Sequence, residues 1–440
     1  MRAVIFYIIF TSISFHVWSQ DNLQMQFSYR GSVAGARFLP STQIMEGQKF
    51  EASFLYSNWV ANKSLTYSSI RKIYKQNELT REDVSNIIDE LDTENKFGAG
   101  QDFMVIGVGL STTIKEHPVT WSFTIYDRLN VNAFIPKNLV QVVWQGNKQF
   151  RGQTLDHSNT RVVGLYFREY SLGFAMPILE WSDWKVRGGF RFSYYQGLSG
   201  LTNPRSKFLS TTAVDAEYID MDFDFEYLYA GIDDFQFLSP KGHGVGANFG
   251  TTFSFKEFLT FDIGVTDIGS IKFKKEVYKV SSKDVVHFTG LGLGDVINTT
   301  AFIDSVAQIF TPTFDSLEQN EFKMPIGAKL SFMTSWTFGK KEGIPQANKM
   351  FFSYIQGFAE NPGVTLTPKF TLAYHRQLFE HFNIGLSTSV GGFNNFGIGG
   401  LIGLQYEHFR FSIQSDDLTG FIAPENTTGA GVGIVFQMLF

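Results

Sequence analysis

Ala430-Gly431-Val432-Gly433-Ile434-Val435-Phe436-Gln437-Met438-Leu439-Phe440 is the stretch that decides the fold. A strand sends successive side chains to opposite faces. Val432, Ile434, Phe436, Met438 and Phe440 therefore share one face, bulky and apolar throughout. Gly431, Gly433, Val435, Gln437 and Leu439 share the other, which is smaller and more polar. Apolar residues facing out and polar or small residues facing in are the pattern of a membrane-spanning β-strand. The same stretch also suits the buried last strand of a water-soluble β protein. The rest of the chain has to separate the two readings.

Composition favours the membrane. Aromatic residues make up 16% of the chain, with 47 Phe and 17 Tyr, and there are 41 Gly. Charged residues are 18%, below the roughly 25% of ordinary soluble domains. Mean hydropathy is −0.06, as expected where apolar and polar faces alternate and average out. A formal net charge of −5 gives no basic footprint for nucleic acid. The chain has no cysteine, so disulfides and thiolate metal sites are excluded.

The other end of the chain reads as an export signal. Arg2 precedes a nearly continuous apolar run from Ala3 to Ile13, and Val17-Trp18-Ser19 ends on a small residue. This layout predicts a secretory signal peptide over residues 1–19, with Gln20 as the first mature residue. No run of about 18 apolar residues follows, so no transmembrane helix is expected. An exported chain of this composition is expected in the cell outer membrane as a barrel over 49–440. Residues 20–48 precede the first clear strand. Leu23, Met25, Phe27 and Tyr29 alternate with polar residues there, which suits an extra strand or an inward-folded plug. The plug keeps the strand count even and is preferred.

Fourteen spanning strands are predicted, at roughly 49–60, 102–114, 119–132, 160–178, 186–197, 243–255, 259–269, 326–338, 349–358, 364–376, 382–390, 396–406, 408–415 and 430–440. Counting back from Phe440 places Lys115–Pro118, Leu179–Lys185, Lys256–Phe258, Leu378–His381 and Glu407 on the periplasmic side, and all are short. The segments 61–101, 133–159, 198–242 and 270–325 fall outside, and all are long. Short periplasmic turns and long external loops are the usual asymmetry of such barrels. Within 133–145, Leu139-Val140-Gln141-Val142-Val143-Trp144 could be further strand, and a pair of extra strands would preserve the even count. Two external segments read as helices. Thr80 can cap one, with Asp83 three residues on, Leu79 and Val84 as a staple, and Val84, Ile87, Ile88 and Leu91 on one face. The other is about 297–310, where Phe302, Val306 and Ile309 recur. Each is either a lid or a helix folded onto the rim, and the second reading is preferred.

Several motifs occur in a recognisable order. They are Gly146-Asn147 with Gly152, Arg168-Glu169-Tyr170 with Gly173, and Gly188-Gly189-Phe190-Arg191 ending at Gly197. Val265-Thr266-Asp267-Ile268-Gly269-Ser270-Ile271, Phe288-Thr289-Gly290-Leu291 and Ser415-Asp416-Asp417 follow. Together they resemble an uncharacterised outer-membrane barrel family of Bacteroidetes, over most of residues 100–440. That family is similar to the PorV-type and long-chain fatty-acid transporter barrels, which implies fourteen strands. Members tend to carry Asn-Pro-Ala near the mature N-terminus, where this chain has only Phe38-Leu39-Pro40. The likeness to outer-membrane barrels also implies that Phe436, Met438 and Phe440 belong to the signal read by the barrel assembly machinery.

Candidate chemistry is sparse. Asp220, Asp222, Asp224 and Glu226 alternate with apolar residues and line one face of a strand, within a run that includes Asp215, Glu217, Asp233 and Asp234. Clustered carboxylates can hold a hard cation such as Ca2+. The spacing lacks the glycine of a calcium loop, and a solvated or lumen-facing acidic face is the preferred reading. His375, His381 and His408 lie around two adjacent turns, but no H-E-x-x-H occurs. No serine-centred signature is present, and no enzymatic activity is expected. Gly242-His243-Gly244-Val245-Gly246 and Gly397-Ile398-Gly399-Gly400 lack the Lys-Ser/Thr of a phosphate loop and read as strand glycines that allow close packing. Two functions fit: a plugged, porin-like channel or transporter for a small hydrophobic molecule, and a partner-binding component of a surface or secretion assembly. The first is preferred on the fold resemblance.

Overall fold

The computed structural model describes residues 32–43, 47–75, 78–114, 116–232, 236–256, 258–288, 297–298, 315–318, 321–339 and 348–440. The expected signal peptide lies outside them, as does nearly all of the expected helix at 297–310.

Fourteen antiparallel strands form a closed wall. They are β1 (Phe50–Asn62), β2 (Glu94–Ile114), β3 (His117–Pro136), β4 (Arg161–Trp181), β5 (Trp184–Thr212), β6 (Gly242–Phe255) and β7 (Leu259–Phe273). β8 (Lys329–Phe338), β9 (Asn348–Gly357), β10 (Lys369–Phe379), β11 (Phe382–Gly391), β12 (Asn394–Gln405), β13 (Phe409–Ser415) and β14 (Gly429–Leu439) complete it. Each strand pairs with its neighbour in sequence. β14 closes the ring on β1, in register from Glu51 opposite Leu439 to Ala61 opposite Gly429. The sheet is therefore all-β with no free edge along the wall.

The period-2 pattern sets which face is which. On β14, Val435, Gln437 and Leu439 are buried inward, while Met438 points out and is 41% exposed. Outward positions elsewhere carry large apolar groups, such as Leu172, Leu386 and Ile402, each at least 60% exposed. Inward positions carry serine, threonine and charged groups. An apolar exterior around a polar interior inverts a soluble protein.

Aromatic rings mark two levels on the outside. Near the short turns, Trp181 and Trp184 stack at 6.3 Å, Trp184 meets Phe255 at 4.9 Å, and Phe50 meets Phe440 at 6.1 Å. Higher up, Tyr194 lies 6.2 Å from Tyr170 and 5.9 Å from His243. Trp184 and Tyr194 are ten residues apart on β5. At about 3.3 Å per residue and a tilt near 40°, that is about 25 Å of height, the span of a barrel's apolar band.

The two ends of the wall differ as the sequence predicts. The turns at 115–116, 182–183, 380–381 and 406–408 are short, and Glu116 and Ser182 take positive φ to make theirs. The opposite end carries the long connections 63–93, 137–160, 213–241 and 274–328. They are less loop-like than expected. β5 continues to Thr212 and pairs with a strand at Ile219–Ala230, which pairs in turn with Val277–Phe288. This ridge stands above the wall. Its strand Ile219–Ala230 carries the acid–apolar alternation read in the sequence, with Ile219, Met221 and Phe223 buried together on the apolar face.

Helices α2 (Tyr67–Lys75), α3 (Arg81–Glu90) and α4 (Lys137–Gln145) also lie at this end. Thr80 and Asp83 form the expected reciprocal capping box. Val84, Ile87, Ile88 and Leu91 pack with Leu65 and Leu79, and with Phe97 of β2. α3 is thus folded onto the rim. α4 corrects the reading of 139–144 as strand. Pro136 ends β3, and Val140 and Trp144, four residues apart, both join the α3 cluster. A short apolar run without polar alternation does not distinguish helix from strand. The strand expected from 364 begins at Lys369, because 358–368 turns inward over the lumen.

Residues 32–43 sit inside the barrel and are not part of its wall. Helix α1 (Val33–Ala36) and a 3-10 turn (Pro40–Thr42) make up most of the segment, and Ser32–Gln43 are all buried. Ala34 and Phe38 pack on Leu55, Met104, Tyr126 and Val435. Leu39 packs on Met333, Phe351 and Ala373. A Cβ on Gly264 would lie 2.3 Å from Leu39, so glycine there lets the segment reach the wall.

A candidate functional site in the barrel interior

The inner segment rises from the short-turn end and returns to it. At one foot, Ser32 caps α1 through the Gly35 amide, and the Val33 amide donates to Glu51 at 3.0 Å. At the other, Ser122 donates to Gln43 at 2.8 Å, and Ser41 and Thr252 hydroxyls lie 2.9 Å apart. Arg37 is the apex. It forms an ion pair with Asp102 and lies 5.5 Å from the centre of the Tyr126 ring.

Asp102 joins Arg37 to a buried ionic network. Arg128 donates to Asp102 at 3.2 Å, to Glu169 at 2.8 Å, and to both oxygens of Asp267 at 2.9 and 3.0 Å. Arg191 donates to Glu169 at 3.1 Å and to Thr124 at 2.8 Å. Ser171 and Ser193 also donate to Glu169. Lys329 lies 3.7 Å from Asp267. Four cations thus meet three carboxylates, on side chains almost wholly shielded from water. Such charges are tolerable only because each is paired.

The strands place these groups by phase. Asp102, Arg128, Glu169 and Arg191 all occupy inward positions of β2 to β5. Asp267 reaches the same point through a bulge in β7, with φ of +57°. Asn248 accepts its amide at 2.7 Å, replacing the ladder bond lost there.

Above the network the lumen closes with apolar groups. Leu165, Phe167, Tyr195, Ile271, Phe273 and Phe322 form one cluster. The inward turn 358–368 hangs from Asn132, which donates to the Asn361 and Val364 carbonyls and accepts from the Gly363 amide. Two cavities beside Lys329 measure about 10 and 20 Å³, room for about one water each.

The candidates named from sequence lie elsewhere. Asp220, Asp222, Asp224 and Glu226 stand on the ridge, where neighbouring strands answer them with Lys, Arg and His side chains. Lys207 meets Asp222 at 2.6 Å, Arg205 meets Asp224 and Glu226 at 3.2 Å, and His287 meets Asp220 at 2.7 Å. Asp233 and Asp234 lie outside the described residues. Among the described residues no three His, Asp or Glu side chains converge as metal ligands. His381 stacks on Tyr406, His408 on Phe440, and His375 is buried beside Phe351, so the three do not form one site. Phe436, Met438 and Phe440 line the outside of the closing strand. The Phe440 carbonyl accepts the amides of Lys49 and Phe50.

One arrangement has the connectivity of a catalytic triad. His157 lies 2.8 Å from Ser210 on one ring nitrogen and 2.8 Å from Asn138 on the other. Ser210 is 2% exposed and His157 is fully buried, so no substrate reaches the hydroxyl. The group ties the 137–160 connection to β5. Burial pushes the His157 imidazole down to about 4.

Sequence reading missed the interior network, although Glu169, Arg191 and Asp267 sit in three of the motifs that carried the resemblance. The available signal was a charge at an inward phase of an otherwise apolar strand.

The chain is similar in structure to several solved barrels. With the P. putida toluene transporter TodX it shares 7% identity at a TM-score of 0.45, covering 93% of this chain and 94% of that one. With a Pseudomonas aeruginosa FadL homologue the values are 8%, 0.39, 93% and 94%. With the translocator domain of the autotransporter NalP from Neisseria meningitidis they are 8%, 0.33, 95% and 96%. No curated protein matches the sequence. A family profile matches residues 46–416, and the chain belongs to the Family of unknown function (DUF5723).

Proposed function

We propose that this chain is an outer-membrane β-barrel that passes a small, apolar molecule when residues 32–43 leave the lumen. The apolar belt between two aromatic levels supports the membrane location. The observation that carries the transport reading is the inner segment itself. It fills the lumen as a separate piece of chain, fastened at its apex by Arg37 and at its feet by hydrogen bonds. The wall behind it presents Leu55, Met104, Met333 and Phe351, a surface suited to an apolar solute.

Conductance in planar bilayers tests this, comparing the full chain with a variant lacking residues 20–48. Stable conductance that rises on deletion supports the plugged channel. Silence in both forms favours the second reading, a partner-binding component of a surface or secretion assembly. The observation behind that reading is apolar exposure at the long-loop end, where Val214, Leu238 and Ile422 are each about 80% exposed. The outward position of Phe436, Met438 and Phe440 suits recognition by the assembly machinery during insertion.

A further inference from the structure

A basic row crosses the outside of the wall at the height of the upper aromatic level. His243 of β6 lies directly opposite Lys272 of β7, and Lys272 lies directly opposite Lys323 on the short strand Phe322–Pro325. All three side chains are exposed. Lys274 and Lys275 follow at once in the chain and are also exposed. Their amides donate to the Lys241 carbonyl, which fixes this corner against the upper end of β6.

Like charges directly opposite each other destabilise a strand pair. Glu321 answers only part of this charge, pairing with Lys272 at 2.5 Å. Glu276 is taken by Lys241. Lys274, Lys275 and Lys323 add three further positive charges, in a chain whose formal net charge is −5. Charge here is concentrated against the trend of the molecule.

Height decides what the row faces. Two residues below His243 is Val245, 56% exposed, and Phe249 follows, 50% exposed. On β7, Ile268 and Ile263 continue the same apolar surface. Beside the row, the Tyr194 hydroxyl meets His243 at 2.7 Å, at the upper aromatic level. Tyrosine rings at this position lie at the headgroup layer. The lysines therefore sit where lipid phosphates sit, and their long stems let the ammonium groups reach into that layer.

We propose that Lys272, Lys274, Lys275 and Lys323 form a docking surface for phosphate-bearing lipid headgroups of the surrounding membrane. The inference rests on the membrane reading above. Phosphate oxygens satisfy several ammonium donors at once and relieve the repulsion between Lys272 and Lys323. Clustered lysines beside an apolar belt draw anionic lipid through a short-range, salt-sensitive attraction.

The test reconstitutes the full chain into phosphatidylcholine vesicles containing a minor fraction of phosphatidic acid. Lipid retained by each barrel after mild extraction is then counted. The expected result is several-fold enrichment of phosphatidic acid around the unaltered chain, lost at high salt. K272Q/K323Q and K274Q/K275Q should each lose most of it. K63Q, on the far side of the rim beyond β1, should keep it. Equal enrichment in all four proteins, or displacement by inorganic phosphate alone, would overturn the lipid assignment. Insertion without lipid preference defeats only this proposal, whereas failure to enter any vesicle defeats the membrane reading as well.

Discussion

At the residue scale, Arg128 is the side chain on which the interior depends. It touches Asp102, Glu169 and Asp267 at once, and none of these carboxylates has water to fall back on. Removing one partner from a buried ionic group costs about 3–5 kcal/mol. Arg128→Met should therefore lower the urea midpoint of the refolded barrel clearly. Arg37→Ala should cost the wall less, because Arg128 still answers Asp102. His157 gives a second prediction. Its folded pKa, about 4, lies below the unfolded 6.5. Between these values the unfolded form binds more protons, so stability falls as pH drops through that window. Limited proteolysis of the 137–160 connection should quicken from pH 6.5 to pH 4, and His157→Phe should flatten the dependence. Sequence could not assemble these sites. Arg37, Asp102, Arg128, Glu169, Arg191, Asp267 and Lys329 come from seven separate segments, and only closure of the barrel brings them together.

At the element scale, the closing strand carries most of what was legible. Its two faces are those read from residues 430–440, and its pairing with β1 completes the ring. Phe440 adds three backbone hydrogen bonds, one with Lys49 and two with Phe50, and ring contacts with Phe50 and His408. Deleting it should lower the amount of barrel in the membrane several-fold, measured by heat-modifiable mobility on gels. Normal levels would show that neither the contacts nor a terminal aromatic signal matters. Strands with an apolar outward face and a polar inward face were readable because that division enforces alternation along them. Where that demand ends, so did the reading. β2 begins at Glu94 and β5 runs to Thr212, and both extensions lie above the apolar belt. There, one face packs on the rim helices and the ridge instead: Phe97 joins the α3 cluster, and Phe208 packs with Ile219, Met221 and Phe223. α4 was misread for a related reason: its apolar run serves packing against α3, which leaves no period of two.

At the scale of the whole molecule, the question is whether the lumen can open while the wall stays closed. Fourteen strands enclose more space than their own inward side chains fill, so something else must occupy it. Here that occupant is the inner segment below, the ionic network in the middle and the turn 358–368 above. The first is a separate piece of chain, followed in sequence by residues 47–49 and β1. The wall's hydrogen bonds do not depend on it, so its departure leaves the ring intact. A reversible tether separates transport by departure from transport around a fixed segment. Ser41 and Thr252 place their hydroxyl oxygens 2.9 Å apart, and the chain contains no cysteine to interfere. S41C/T252C can therefore be oxidised to bind the segment to β6. The wall should keep its heat-modifiable mobility in both redox states. Uptake of an apolar dye into vesicles should stop on oxidation and return with reductant. Equal uptake in the two states would show that residues 32–43 stay in place, and that any path through the molecule runs beside them.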